Sequence, residues 1–178
     1  MTTALTTAPE LTTDRLTLRG PWADDLSLLT KWTTTSTRMA IMGGNGTVSE
    51  ARFAFLINIG RWQMDGMGFF TVTRRDDPVA LGRVGLLYYP QSDVRPKSEV
   101  ELAWHLFDGA EGHGFASEAG RAVLGWARAI LKLDRIVSFI LPANTRSQAT
   151  ARRLGATTDG SRAAHDADAE VWFHKVAA

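Results

Sequence analysis

The chain has 178 residues, 44% hydrophobic and 22% charged, with a net charge of +1, which is enough apolar material for one packed domain and too little positive charge for nucleic acid to be the main partner. It has no cysteine, which excludes disulfides, thiolate nucleophiles and cysteine-held metals, and His105, His113, His165 and His174 lack paired ligand spacing, so no metal is expected. No run approaches the roughly eighteen apolar residues of a membrane span, and residues 1–10 read as a flexible tail without the basic start and apolar stretch of a signal peptide, so the expected location is the cytoplasm, with no membrane partner.

Residues 11–178 read as one domain without internal repeats. Leu16-Thr17-Leu18 alternates as a short strand that Gly20-Pro21 ends. Apolar spacing at Trp22, Leu26, Leu29 and Trp32 predicts a helix over 22–32, with Asp24 and Asp25 where the helix dipole favours acids. A polar loop fills 33–46. Thr47-x-x-Glu50 is a capping box, and Phe53, Leu56, Ile57 and Gly60 continue a second helix. Residues 69–73 and 79–89 then form a hairpin around the turn Asp76-Asp77-Pro78, and 90–98 is a polar loop. Strict alternation predicts a strand over 99–107, with Val100, Leu102, Trp104 and Leu106 on one side and Glu99, Glu101, Ala103 and His105 on the other. A long helix is expected over 115–132, with Ala119, Val123, Trp126, Ile130 and Leu131 at helical spacing. A strand follows over 135–141, then a short helix over 145–154 stopped by Gly155, a loop at 160–169 and a last strand over 170–176. The pattern indicates an α/β (α+β) fold, a mixed central sheet with helices on both faces.

Between 101 and 119 a strand runs into a glycine loop that opens directly into a helix. Such a junction presents backbone N–H groups and the positive end of the dipole, a binding place for phosphate. Gly112 and Gly114 let the backbone approach a diphosphate closely. A lone G-x-G is also compatible with a plain helix-entry turn. The dinucleotide fingerprint fails because its third glycine falls on Ser117, and the Walker pattern lacks G-K-[ST].

The stretch Glu101-Leu102-Ala103-Trp104-His105-Leu106 followed by Glu111-Gly112-His113-Gly114-Phe115-Ala116-Ser117-Glu118-Ala119 resembles the acetyl-CoA motif of the GNAT superfamily of N-acetyltransferases. The likeness is to the branch of ribosomal-protein-alanine (RimJ/RimL-like) enzymes, written E-[IL]-G-Y-W-[IL] … W-G-[KR]-G-Y-A-[TS]-E-A. Two further motifs of that branch, T-[DE]-R-L-x-L-R and N-x-x-S … L-G-[FA], match Thr13 to Arg19, and Asn144 to Ser147 with Leu154-Gly155-Ala156. In family order, the three cover nearly the whole chain from Leu11. The resemblance implies a single GNAT-like domain that moves an acetyl group from acetyl-CoA to a primary amine, on a protein N-terminus or a small molecule, by direct attack on the thioester. Trp104, His105, Leu106 and Phe107 would line the pantetheine arm, with a strand amide near His105 as oxyanion donor. Residues 112–117 would carry the diphosphate, and Asn144 and Ser147 would reach the arm. A homodimer is the assembly the resemblance suggests.

Two positions depart from the pattern. Gly109 stands where the glycine motif usually begins with Gln or Arg. Ala151 stands where many members carry the tyrosine that protonates the thiolate, a role Ser147 can take instead. A base is needed for an amine that arrives protonated. Glu101, on the polar side of its strand, is the first candidate, with a plain ion-paired glutamate as its alternative. Glu99 and His105 are reserves, and Asp166, Asp168 and Glu170 form a second group. Trp104 and Trp126 read as core, Asn144 also as a helix cap, and Glu118 as a first-turn dipole partner. The acceptor pocket is expected from the loops 33–46, which contains Arg38, and 160–169. The competing class is a catalytically silent acyl-CoA-binding sensor or interaction module, to which Gly109 and Ala151 lend support.

Overall fold

The computed structural model describes residues 6–42, 44–88 and 100–175. In chain order the elements are β1 (Leu11–Thr12), β2 (Leu16–Arg19), α1 (Asp25–Thr35), a 3-10 turn (Thr37–Met42), α2 (Val48–Met64), β3 (Phe69–Arg74), β4 (Asp77–Tyr88), β5 (Val100–Leu106), α3 (Phe115–Ala129), β6 (Ile136–Ile140), α4 (Thr145–Arg153), β7 (Ala156–Thr157), β8 (Arg162–Ala163) and β9 (Asp166–His174). One sheet runs β1-β2-β3-β4-β5-β6-β9-β7, with β8 beside β9. Among the described pairings only β5 with β6 is parallel, so the sheet is mixed, as the pattern of elements indicated.

The two faces follow from side-chain alternation. Phe70, Val72, Val84, Leu86 and Leu102 pack with Phe115, Ala119 and Val123 of α3, and Trp104 links this core to the smaller cluster of Ile140, Trp172 and Ala151 beneath α4. On the opposite face Leu29, Trp32 and Phe55 of α1 and α2 form a second core. Phe70, fully buried, meets Trp62 edge-on with ring centres 4.8 Å apart and Trp126 at 5.4 Å, so Trp126 is core as expected. Ala8, in the segment expected to be a loose tail, also packs on the main core.

Several boundaries differ from expectation for identifiable reasons. The helix predicted from Trp22 begins at Asp25, because the Asp25 carboxylate takes the Trp22 N–H at 2.8 Å and closes a turn ahead of it. The same carboxylate receives both Arg19 guanidinium nitrogens at 2.8 and 2.9 Å and the Thr71 hydroxyl at 2.9 Å. The capping box is present, but α2 runs through Gly60 to Met64. Its sheet side is Ala51, Phe55, Asn58 and Trp62, while Phe53, Leu56 and Ile57 are exposed. Asn58 and Trp62 fix that orientation by bonding the Phe69 backbone. The hairpin turn is Arg75-Asp76, with Asp77 and Pro78 already in β4. The long helix ends at Ala129, three residues before left-handed Lys132 (φ 55°) turns the chain. The loop expected over 160–169 holds β8 and the first part of β9. Glu99, the loop 90–98 and Val176 lie outside the described residues.

Candidate functional site

Among the described residues the β5 and β6 strands pair at Val100–Ile136 and Glu101–Val137 alone. Beyond that point they part, and the gap opens a cleft of about 1430 Å³ lined by β5, the glycine loop, the start of α3, β6 and α4. Leu102 C=O accepts the Ser138 hydroxyl at 2.6 Å, and Leu106 C=O accepts Arg38 Nη1 at 2.9 Å. On the other edge, the Phe107 N–H donates to Leu81 C=O. In an antiparallel ladder both polar groups of a residue face the same neighbour, and successive residues alternate. Leu102, Trp104 and Leu106 therefore turn their backbone groups away from β4 and toward the cleft, while those of Ala103 and His105 belong to the β4 ladder. The strand amides facing the cleft are those flanking His105, not its own.

Ser138, 2% exposed, also meets His174 Nε2 at 2.9 Å. With the hydroxyl hydrogen given to Leu102, the imidazole N–H is the donor in that second contact. Burial, helped by the positive charge of Arg128, pulls the His174 pKa down to about 4, so the ring is neutral at neutral pH.

At the glycine loop, Gly112 and Gly114 take left-handed backbone (φ 83° and 79°), a region that favours glycine. A Cβ on Gly112 would meet nothing within 4 Å, so the loop is open to close approach. Gly114 caps α3, whose first backbone bond runs from Glu118 N–H to Gly114 C=O at 3.0 Å. The N–H groups of Phe115, Ala116 and Ser117 precede that bond, and all three residues line the cleft. Open glycines, unspent amides and the positive helix end together fit a diphosphate. His113 is exposed at the rim beside the Phe115 ring, 5.5 Å away. Gly109 is also left-handed, at φ 88°, with open space where a Cβ would stand.

Glu118 has a role beyond the helix dipole. It accepts Thr13 Oγ1 at 2.6 Å, Arg15 N–H at 3.0 Å and Arg15 Nε at 2.7 Å. Partial burial raises its carboxyl pKa, the bonds from Thr13 and Arg15 lower it, and the net result is below the ordinary value.

Across the cleft, Asn144 caps α4 by accepting Ser147 N–H at 3.1 Å, and both residues line the cleft. Ala151 is fully buried with Ile140, Ala156 and Trp172, so that position belongs to the core and carries no acid. Trp104 is half-buried, packed on the core yet lining the cleft. Phe107 departs from expectation: it is absent from the cleft wall and leans on Trp32, 5.8 Å between ring centres.

The α1–α2 side of the cleft holds Glu101, 9% exposed, and His105. The His105 ring stacks on Trp32 at 5.5 Å and lies 5.4 Å from Phe69. Its Nδ1 accepts Arg83 Nε at 3.1 Å. Burial, then the charges of Arg83 and Arg38, hold its pKa well below the usual histidine value. Of the second acidic group, Asp166 and Asp168 line the cleft, with Asp166 accepting Asp168 N–H at 3.0 Å, while Glu170 pairs in register with Ile140 and lies outside the cleft wall. Ser138, Arg83 and His174 were not singled out from sequence. A lone serine within the apolar run Ile136-Val137-Ser138-Phe139-Ile140 was the available signal for the first.

Among the described residues no group of three or more His, Cys, Asp or Glu side chains can hold a metal, and no helix is long and apolar enough to cross a membrane. Residues 15–157 match the family model described as an acetyltransferase (GNAT) domain. An acetyltransferase from Agrobacterium tumefaciens is similar over 94% of this chain and 95% of its own, at 29% identity and a TM-score of 0.84. The ribosomal-protein-S5-alanine acetyltransferase of Vibrio fischeri is 14% identical over 94% of this chain and 96% of its own, with a TM-score of 0.72. The RimL ribosomal L7/L12 alpha-N-protein acetyltransferase in complex with coenzyme A is 15% identical over 93% and 96%, with a TM-score of 0.67. The chain belongs to the GNAT acetyltransferase family.

Proposed function

We propose that the chain transfers the acetyl group of acetyl-CoA to a primary amine, on a protein N-terminus or a small molecule, and that it does so in the cleft where β5 and β6 part. The observation that carries this reading is the meeting of three features in one cleft: an open strand edge, a glycine-capped helix end and a buried carboxylate. The N–H groups of Phe115, Ala116 and Ser117 hold the diphosphate. The Leu106 or Trp104 N–H, aimed at the cleft, is placed to receive the charge that develops on the thioester oxygen.

Glu101 is the proton acceptor, directly or through water. His105 is unsuited to that task, because its Nδ1 is engaged by Arg83 and its basicity is depressed. As the amine nitrogen bonds to the acetyl carbon, the carbon–sulfur bond breaks. The amine's proton passes toward Glu101, and the departing thiolate takes one from solvent, directly or relayed through the Ser147 hydroxyl.

Ala116→Asp tests the reading. A carboxylate in the first turn suits the helix dipole, worth about 0.3–1 kcal/mol, which offsets part of the core packing lost at Ala116, and thermal unfolding of the variant checks that the fold is kept. The same charge repels a diphosphate. Calorimetric titration with acetyl-CoA should give binding in the parent and at least about tenfold weaker binding in the variant, ~1.4 kcal/mol. Equal affinity would place the diphosphate elsewhere. A parent that binds but acetylates no amine in a broad panel would instead support the silent acyl-CoA-binding module.

A further inference from the structure

The edge of β5 that borders the cleft presents three carbonyls, those of Leu102, Trp104 and Leu106, and the protein itself occupies the outer two. Ser138 donates to Leu102 at 2.6 Å from the β6 side, and Arg38 donates to Leu106 at 2.9 Å from the 3-10 turn after α1. Neither contact is a passing surface bond. Ser138 is 2% exposed and is held from behind by His174, 4% exposed. Arg38 is steadied by Glu111 at 3.5 Å, and both of their side chains are about one-third exposed, 30% and 34%. We infer that Ser138 and Arg38 are positioning residues that fix the register in which the pantetheine arm of acetyl-CoA adds to β5, by leaving Trp104 C=O as the single strand carbonyl open to it.

The reason lies in the chemistry of the arm. Pantetheine carries two secondary amides, so it adds to a strand edge as a short peptide would, through N–H and C=O groups. A strand edge with equivalent carbonyls at every second residue has equivalent registers, two residues or about 6.8 Å apart. A slip of that size would carry the thioester carbonyl out of reach of the strand N–H that serves it, whereas displacements near 1 Å already cost about 100-fold in rate. Filling the outer carbonyls removes the slipped registers without touching the ligand. The inference rests on the transferase reading, in taking acetyl-CoA as the ligand of this edge and amine acetylation as its turnover.

The test uses acetyl-CoA labelled with carbon-13 at the thioester carbonyl, bound to the parent, Ser138→Ala, Ser138→Thr and Arg38→Met, alongside steady-state kinetics with one amine. The parent should show a single bound carbonyl resonance. Ser138→Ala and Arg38→Met should each show a second bound resonance and a kcat lower by tenfold or more, with the acetyl-CoA dissociation constant changed less than about threefold, under half a decade of affinity. Ser138→Thr, which keeps the hydroxyl, should behave as the parent. A single unchanged resonance in both disruptive variants, or a loss of affinity at constant kcat, would overturn the assignment. Arg38→Met keeps the test decisive if Ser138→Ala folds poorly. Absence of any bound signal in the parent would instead count against the cleft as the acetyl-CoA site.

Discussion

Replacing Asp25 by alanine should destabilise the protein severely, although the residue lies outside the cleft. The Asp25 carboxylate, 8% exposed, is the acceptor for four bonds: two from Arg19, one from the Trp22 N–H and one from the Thr71 hydroxyl. Its removal leaves Arg19, 6% exposed, as a buried cation whose remaining contacts are Gly20 C=O and the Trp22 ring face at 3.7 Å. Breaking one half of a buried pair costs about 3–5 kcal/mol. At about 2–4 °C per kcal/mol for a chain of this size, Tm should fall by on the order of 6–20 °C. The double variant Arg19→Met/Asp25→Leu should recover most of that loss, because the cost lies in stranding one charge rather than in lacking the pair. Thermal unfolding followed by circular dichroism, with urea titrations to confirm a two-state transition, reads both quantities. A loss below about 1 kcal/mol for Asp25→Ala would mean that water reaches Arg19 and that the site is not buried in solution. A double variant as unstable as the single would refute the charge argument and point to lost shape instead.

Three further outcomes are expected. The His174 pKa of about 4 lies below its unfolded value of 6.5, so the unfolded chain binds the proton first as pH falls. Stability is therefore complete above about 6.5 and is lost between 6.5 and 4, by about 3 kcal/mol; His174→Phe should flatten the pH dependence of urea stability in that window, and an unchanged slope would place its source elsewhere. Glu101→Gln should lower kcat by about 10²–10⁴ while leaving acetyl-CoA titrations unchanged; activity within threefold of the parent would exclude Glu101 as base. Thr47→Ala removes the hydroxyl that accepts Glu50 N–H at 3.2 Å in the capping box of α2 and should cost about 1 kcal/mol in urea unfolding, with no effect on binding.

What could be read from sequence and what could not divides along physical lines. The strand β5, the capping box at Thr47, the helix entry at Gly114 and the stop at Gly155 depend on neighbours within a few residues, and each is present, although the polar side of β5 is covered as well, with Glu101 buried. Helical spacing marks Phe53, Leu56 and Ile57 as the apolar continuation of α2, yet that face is exposed. Which face a helix buries depends on its tertiary partners, and here Asn58 and Trp62 decide it through the Phe69 backbone. The helix α1 starts three residues later than its apolar spacing predicts because the Asp25 carboxylate serves Arg19 and Thr71, partners that no local pattern names. The point where β5 and β6 part, and with it the capping of Leu102 by Ser138, arises from strand pairing across 36 residues. Arg83 reaches His105 only through the β4–β5 register, so neither that bond nor the lowered basicity that burial and the Arg83 charge give the ring could be anticipated.

The tie between Arg15 and Glu118 has a consequence for the far end of the cleft. Glu118 sits in the first turn of α3, where an unpaired carboxylate would oppose any anion approaching the same helix end. Arg15 and Thr13, brought in from the start of the domain, draw that carboxylate aside and neutralise it, with the ion pair at 2.6 Å. The opening segment of the domain thus keeps the helix terminus positive from a distance, so that damage to it (a truncation before Leu16, or Arg15→Ala) would be felt as weaker anion capture at a loop a hundred residues away.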